Sequence, residues 1–236
     1  LLVYIPQILK YLDQLGPRPQ DILKIVRKLC LPKRPKILDL GCGKGAISNY
    51  LAKKIDCSIT GIDSFGPFID HAAKHAPNKK VKYFMKDICK ELEKKNKYDL
   101  IIFVSVGFVY HGLARTITAI RKKLKPNGCY ILENMYLKRN RKNRSKLYKT
   151  IDRAAQNRIL ASFKDRLIDY KIYEQKETVV QNKYFLARIK KGMKELSKYK
   201  PEIKPLLEQY YAQQEYESDR INKDYEIAVH TYQRRS

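Results

Sequence analysis

Apolar positions along the chain follow two alternating rhythms. Short runs rich in β-branched and aromatic residues predict strands: Ile37, Leu38 and Leu40, then Ser58–Asp63, Val81–Met85, Tyr98–Val104, Cys129–Glu133, Leu167–Tyr173 and Tyr225–Tyr232. Between them, apolar residues three and four apart predict helices, as at Ile47, Tyr50 and Leu51, at Phe68, Ile69, Ala72 and Ala73, and at Ile117, Ile120 and Leu124. Strands that alternate with helices imply an α/β domain with a parallel sheet. The unbroken apolar run through the fourth strand implies burial on both faces. A leading helix is expected in residues 1–16, on Ile8, Leu9, Leu12 and Leu15, and Gly16-Pro17 stops it. A second helix is expected at Asp21–Cys30, before Pro32 and Pro35. Another is expected from about Leu147 to Phe163. About fifty residues separate the sixth and seventh strands and carry two helical stripes: Phe185, Ile189, Met193 and Leu196, then Ile203, Leu206, Leu207 and Tyr210.

The stretch Lys36–Gly45, K-I-L-D-L-G-C-G-K-G, carries the chemistry. A short strand runs into Gly41, Gly43 and Gly45, and a helix follows from Ala46. Glycine permits positive φ and leaves no Cβ in a ligand's way. Strand, glycine turn and helix form the nucleotide-cradling unit of a doubly wound sheet. Gly41, Gly43 and Ala46 also satisfy the dinucleotide fingerprint, so the glycines alone do not choose the ligand. Asp39, two residues before the first glycine, favours a ligand with an ammonium group and no pyrophosphate. Asp63 ends the second strand about twenty residues beyond the glycines, the offset at which an acid reaches a ribose diol, with capping of the next helix as its structural alternative. Asp87 follows the third strand, where an acid suits the exocyclic amine of adenine and Ile88 its ring face.

An acid followed by alternating glycines, with acids after two more strands, resembles the class I S-adenosylmethionine-dependent methyltransferases. The turn Lys125-Pro126-Asn127-Gly128 before the fifth strand is also typical of them. The resemblance covers residues 16–135 by motif and the rest by order of elements. It implies a seven-stranded Rossmann-like sheet whose last strand is antiparallel, with the helical insertion between strands six and seven. It implies S-adenosylmethionine as cofactor, held by Asp39, Gly41, Cys42, Gly43, Asp63, Ser64, Asp87, Ile88 and Ser105. The N/D-P-P-Y/F platform of amino-methylating members and the Pro-Cys nucleophile of cytosine enzymes are absent from the sequence. The long insertion is similar to a small-molecule branch related to the ubiquinone-biosynthesis methyltransferases.

The sulfonium activates its own methyl group, so the protein has mainly to align an acceptor and exclude water. His111 and Glu133 are the candidate bases, with pocket shaping as their alternative role. Tyr110, His111 and Tyr136 are the candidate substrate contacts, with core packing equally open to the tyrosines. Residues 177–223 are expected as a helical lid over the site, or alternatively a dimerisation arm. Residues 1–30 are expected as leading helices of the one domain, 1–236.

Composition changes this picture in one respect. Fifty Lys and Arg against 24 Asp and Glu give a formal net charge of +26. Such a charge attracts polyanions, although a solvated lysine-rich surface explains it as well. Lys138–Lys149 holds seven bases and no acid, and it reads equally as attraction of an anionic substrate or as a solvated segment. The partner is therefore expected to be a small molecule, with nucleic acid the less favoured alternative and a non-catalytic binding protein the third. Five scattered cysteines without a C-x-x-C pair suit reduced thiols in the cytoplasm. His71 and His75 lack a third ligand, so no metal is expected. No apolar run is long enough to span a bilayer, and no signal peptide is discerned. The chain begins at Leu1 and not at a methionine, which leaves room for a preceding piece. A monomer or a homodimer is expected.

Overall fold

In the computed structural model, residues 1–138 and 153–235 are described. In chain order the elements are α1 (Ile5–Ile8), α2 (Pro19–Arg27), β1 (Lys36–Leu40), α3 (Ala46–Lys54), β2 (Ser58–Asp63), α4 (Gly66–Lys74), β3 (Val81–Met85), α5 (Ile88–Leu92) and β4 (Tyr98–Phe103). They continue with α6 (Leu113–Lys123), β5 (Leu124–Leu137), α7 (Arg153–Ser162), β6 (Arg166–Ile172), α8 (Gln175–Tyr199), α9 (Lys204–Asp224) and β7 (Tyr225–Gln233).

The seven strands form one sheet in the order β3-β2-β1-β4-β5-β7-β6. β1 pairs in parallel with β2 and β4, β2 with β3, and β4 with β5. β7 runs against β5: Lys138 N–H donates to the Asp224 carbonyl and Arg234 N–H to the Gly128 carbonyl, so the numbering descends along one strand as it rises along the other. This is the doubly wound sheet with a helical insertion that the pattern predicts, and the antiparallel last strand that the resemblance implies. The strand order reverses between β1 and β4, and such a reversal opens a ligand crevice at the strands' carboxyl ends.

Alternation along the strands explains the packing. Leu38, Leu40, Ile101, Phe103, Tyr130 and Leu132 join Leu113, Ile117 and Ile120 of α6 and Leu160 of α7 in one core. Asp39 points to the opposite face, where Ser48 of α3 meets it. All six residues of β4 are buried, as its apolar run requires.

Contacts divide the described residues between two compact units. The larger draws on Gln14–Asn134, Ile151–Lys171 and Ala228–Ser236; the smaller on Leu1–Asp13, Met135–Thr150 and Ile172–Ile227. The smaller unit holds α1, α8 and α9. The leading helix expected in residues 1–16 is absent as a single element. A 3-10 turn at Leu2–Tyr4 leads into four-residue α1, and tight turns follow in which Lys10 N–H donates to Gln7 and Leu12 N–H to Leu9. The cause is close backbone packing: a Cβ on Gly192 of α8 would stand 2.2 Å from the Ile8 oxygen. That carbonyl lies against α8 instead of accepting from Leu12.

β5 is longer than expected. It absorbs the Lys125–Gly128 turn at the cost of a register shift against β4, with Asn127 at φ +57°. The basic stretch lies outside the described residues except for Lys138, as does the start of the helix that becomes α7. Among the described residues no helix is long and apolar enough to cross a membrane.

Candidate functional site

The site is built on the turn after β1, inside the larger unit. Gly41, Gly43 and Gly45 all have positive φ, at 74°, 52° and 77°. Their surroundings differ. A Cβ on Gly41 would lie 2.1 Å from Val106 Cγ2, and one on Gly45 would lie 2.6 Å from the Tyr83 hydroxyl. A Cβ on Gly43 would meet only Leu15 Cδ1, at 3.4 Å. Two of the glycines therefore admit neighbouring side chains, and Gly43 alone opens on space a ligand could enter.

One acid touches this turn directly, and two more sit at the ends of β1 and β3. Asp63, at the end of β2, accepts the Gly43 N–H on Oδ2 and the Phe65 N–H on Oδ1, both at 2.9 Å. It thereby fixes the turn, and each of its oxygens keeps a second lone pair for a hydroxyl donor. The helix N-cap is Phe65 without a side-chain bond, while Ser64 stands exposed beside it. Asp39 is buried and accepts the Ser48 hydroxyl at 2.6 Å. Burial pushes its carboxyl up to about 6, with the nearby Asp63 charge adding to the rise and the Ser48 bond opposing it. Asp87 is exposed at the tip beyond β3 and caps α5 by accepting the Lys90 N–H at 3.1 Å, and half-buried Ile88 follows it. Burial, then the Asp39 and Asp63 charges, raise the Cys42 thiol and keep it protonated.

Tyr83 supports the turn and has no local sequence signal. Its ring crosses β2 at Gly61, where a Cβ would lie 2.5 Å from it, and its hydroxyl donates to Asn49 Oδ1 at 2.7 Å beneath the turn. Only the β2–β3 register, which sets Gly61 opposite Tyr83, reveals it.

The segment leaving β4 has unusual backbone. Ser105, Tyr110 and His111 all have positive φ, at 56°, 53° and 59°. Three such residues without glycine mark a constrained segment. Ser105 is exposed, yet its N–H and its hydroxyl both donate to Glu133 Oε2. Burial raises the Glu133 carboxyl, and the two bonds from Ser105 oppose the rise. Tyr110 donates its hydroxyl to the Cys89 carbonyl at 3.0 Å and packs its ring against the main core. His111 is exposed. Tyr136 is buried in the smaller unit. Asn134, beside Glu133 on β5, is 1% exposed, and neither of its amide atoms has a hydrogen-bond partner. His71 and His75 stack at 4.2 Å on α4, and among the described residues no group of three or more metal-ligating side chains gathers.

Residues 37–128 match the family model described as a methyltransferase domain. Over 93 residues the chain is 36% identical to a malonyl-[acyl-carrier protein] O-methyltransferase of Priestia megaterium, covering 39% of this chain and 34% of that protein. Over 101 residues it is 30% identical to a ubiquinone biosynthesis O-methyltransferase of Rickettsia bellii, covering 42% of each. The alignments thus span about two fifths of the length of these curated relatives. A solved S-adenosylmethionine-dependent methyltransferase from Geobacter sulfurreducens, in complex with S-adenosyl-L-homocysteine, superposes with a TM-score of 0.77 at 18% identity, over 99% of this chain and 98% of that one. The fold is that of the class I S-adenosylmethionine-dependent methyltransferases. The chain carries a methyltransferase domain over residues 37–128.

Proposed function

We propose that the protein transfers a methyl group from S-adenosylmethionine to a small-molecule acceptor. The observation that carries this reading is the open face of Gly43, whose N–H is held by Asp63. Positive φ and free space at Gly43 suit close approach of a ligand. The spare lone pairs of Asp63 suit a ribose diol, and the negative charge of Asp39 beneath the turn suits an ammonium group. Asp87 and Ile88 serve the adenine edge and face, with Gly41, Cys42, Ser64 and Ser105 completing the border. S-adenosylmethionine, when bound, presents an electrophilic methyl group on a sulfonium.

The chain's own residues then orient the acceptor and exclude water. His111 and Tyr110, on the segment leaving β4, face the acceptor in this reading. His111 serves as base where the acceptor is a hydroxyl. The similar relatives named as O-methyltransferases support such an acceptor. The excess of Lys and Arg favours an anionic one. In this reading the protein acts as a monomer or homodimer.

Incubating the purified protein with methyl-labelled S-adenosylmethionine and a cell extract tests the proposal. Label is expected in a small molecule. Label confined to RNA, or no consumption of the methyl donor, would contradict it.

A further inference from the structure

We propose that Glu133 is a positioning residue that latches the segment leaving β4 onto the glycine turn. The inference rests on the functional reading above and adds to it how the turn is kept in shape. Ser105 holds φ +56°, a conformation that costs a non-glycine residue energy unless its surroundings enforce it. The enforcement is visible. Oε2 of Glu133, one strand over on β5, accepts the Ser105 N–H at 2.6 Å and the Ser105 hydroxyl at 2.8 Å. Hydrogen bonds to a carboxylate are the strong kind.

The opposite side of the hydroxyl is shaped as well: a Cβ on Gly16 would lie 2.3 Å from Ser105 Oγ, so only glycine leaves the hydroxyl its seat. The next residue, Val106, sets its Cγ2 against Gly41, 2.1 Å from where a Cβ would be. Two contacts joined by one peptide bond thus run in series, from Glu133 to Ser105, through the chain to Val106, and from Val106 to the first glycine of the turn. This role needs an acceptor at residue 133, not a titrating base. A glutamine carbonyl can fill it; a methyl group cannot.

The test compares Glu133→Gln with Glu133→Ala by two measurements. The first is amide hydrogen exchange of residues 104–107 in the ligand-free protein, which requires nothing of the cofactor. Glu133→Ala, which removes both bonds to Ser105, should speed exchange at Ser105 by ~tenfold or more, and Glu133→Gln, which keeps a neutral acceptor, should fall between Glu133→Ala and the parent. The second is calorimetric affinity for S-adenosylhomocysteine. It should weaken ~tenfold in Glu133→Ala and recover at least in part in Glu133→Gln. Ser105→Ala alone removes one bond with little risk to folding and should speed exchange by roughly threefold. Parent-like exchange in Glu133→Ala or in Ser105→Ala, or a Glu133→Gln variant as damaged as Glu133→Ala, would overturn the latch. Failure of the parent to bind the nucleoside, with exchange as expected, would overturn the functional reading and leave the latch standing.

Discussion

Asp39 and His230 are both buried against their charge, in opposite senses. Burial raises the Asp39 carboxyl to about 6, and burial together with the nearby Arg153 charge lowers the His230 imidazole to about 4. Above its unfolded value near 4, charging Asp39 costs the folded state, so its contribution to stability falls as pH rises from about 4 to 6. His230 must charge in acid, so its contribution is present above about 6.5 and is lost as pH falls toward 4. The two slopes offset each other in the parent. Replacing Asp39 by Asn, which still accepts from Ser48, should make the variant gain on the parent by roughly 2 kcal/mol between pH 4 and pH 6.5. Urea unfolding of both proteins at the two pH values checks this, and a constant difference would refute the assignment. Asp63→Ala should weaken S-adenosylhomocysteine binding by on the order of 1–3 kcal/mol, through the lost diol contact and the released Gly43 N–H; isothermal titration measures it. The acids were legible in the sequence because each sits at the end of its own strand pattern. Tyr83 and Val106 were not, because their contacts with Gly61, Gly45 and Gly41 arise across strands and loops.

Among the elements, the strands were the most legible, since burial on one or both faces imposes their apolar pattern directly. Residues 1–16 were the least. Their helical spacing is real, for Ile8 and Leu12 are buried, but the backbone at Gln7 and Ile8 packs closely on Gly192 of α8 and continues in tight turns. Glycine in mid-helix normally costs about 1 kcal/mol relative to alanine. At Gly192 the order should invert. Gly192→Ala places a methyl 2.2 Å from the Ile8 oxygen, and backbone cannot move aside cheaply. It should destabilise by roughly 1–3 kcal/mol in spite of better helix propensity. A chemical melt no weaker than the parent's would show that the packing of α1 on α8 is looser than described.

For the whole molecule, sheet order and the reversal between β1 and β4 place the crevice, and the fold alone leaves the acceptor open. The formal charge of +26 acts at this scale too. Association with a polyanion such as heparin should fall steeply as salt rises, while cofactor affinity, if the proposed contacts in the larger unit hold, should change little. Parallel salt slopes for the two would mean that the surface charge belongs to the ligand site.

The central claim, that the open face of Gly43 receives the adenosyl ligand, is tested most directly by titrating S-adenosylhomocysteine into the parent protein and into Gly43→Val. The account predicts one site per chain in the parent, with micromolar affinity, about −8 kcal/mol, and loss of the heat in a Gly43→Val protein that still melts cooperatively. No heat in the parent at millimolar ligand, or equal affinity in both proteins, would contradict it.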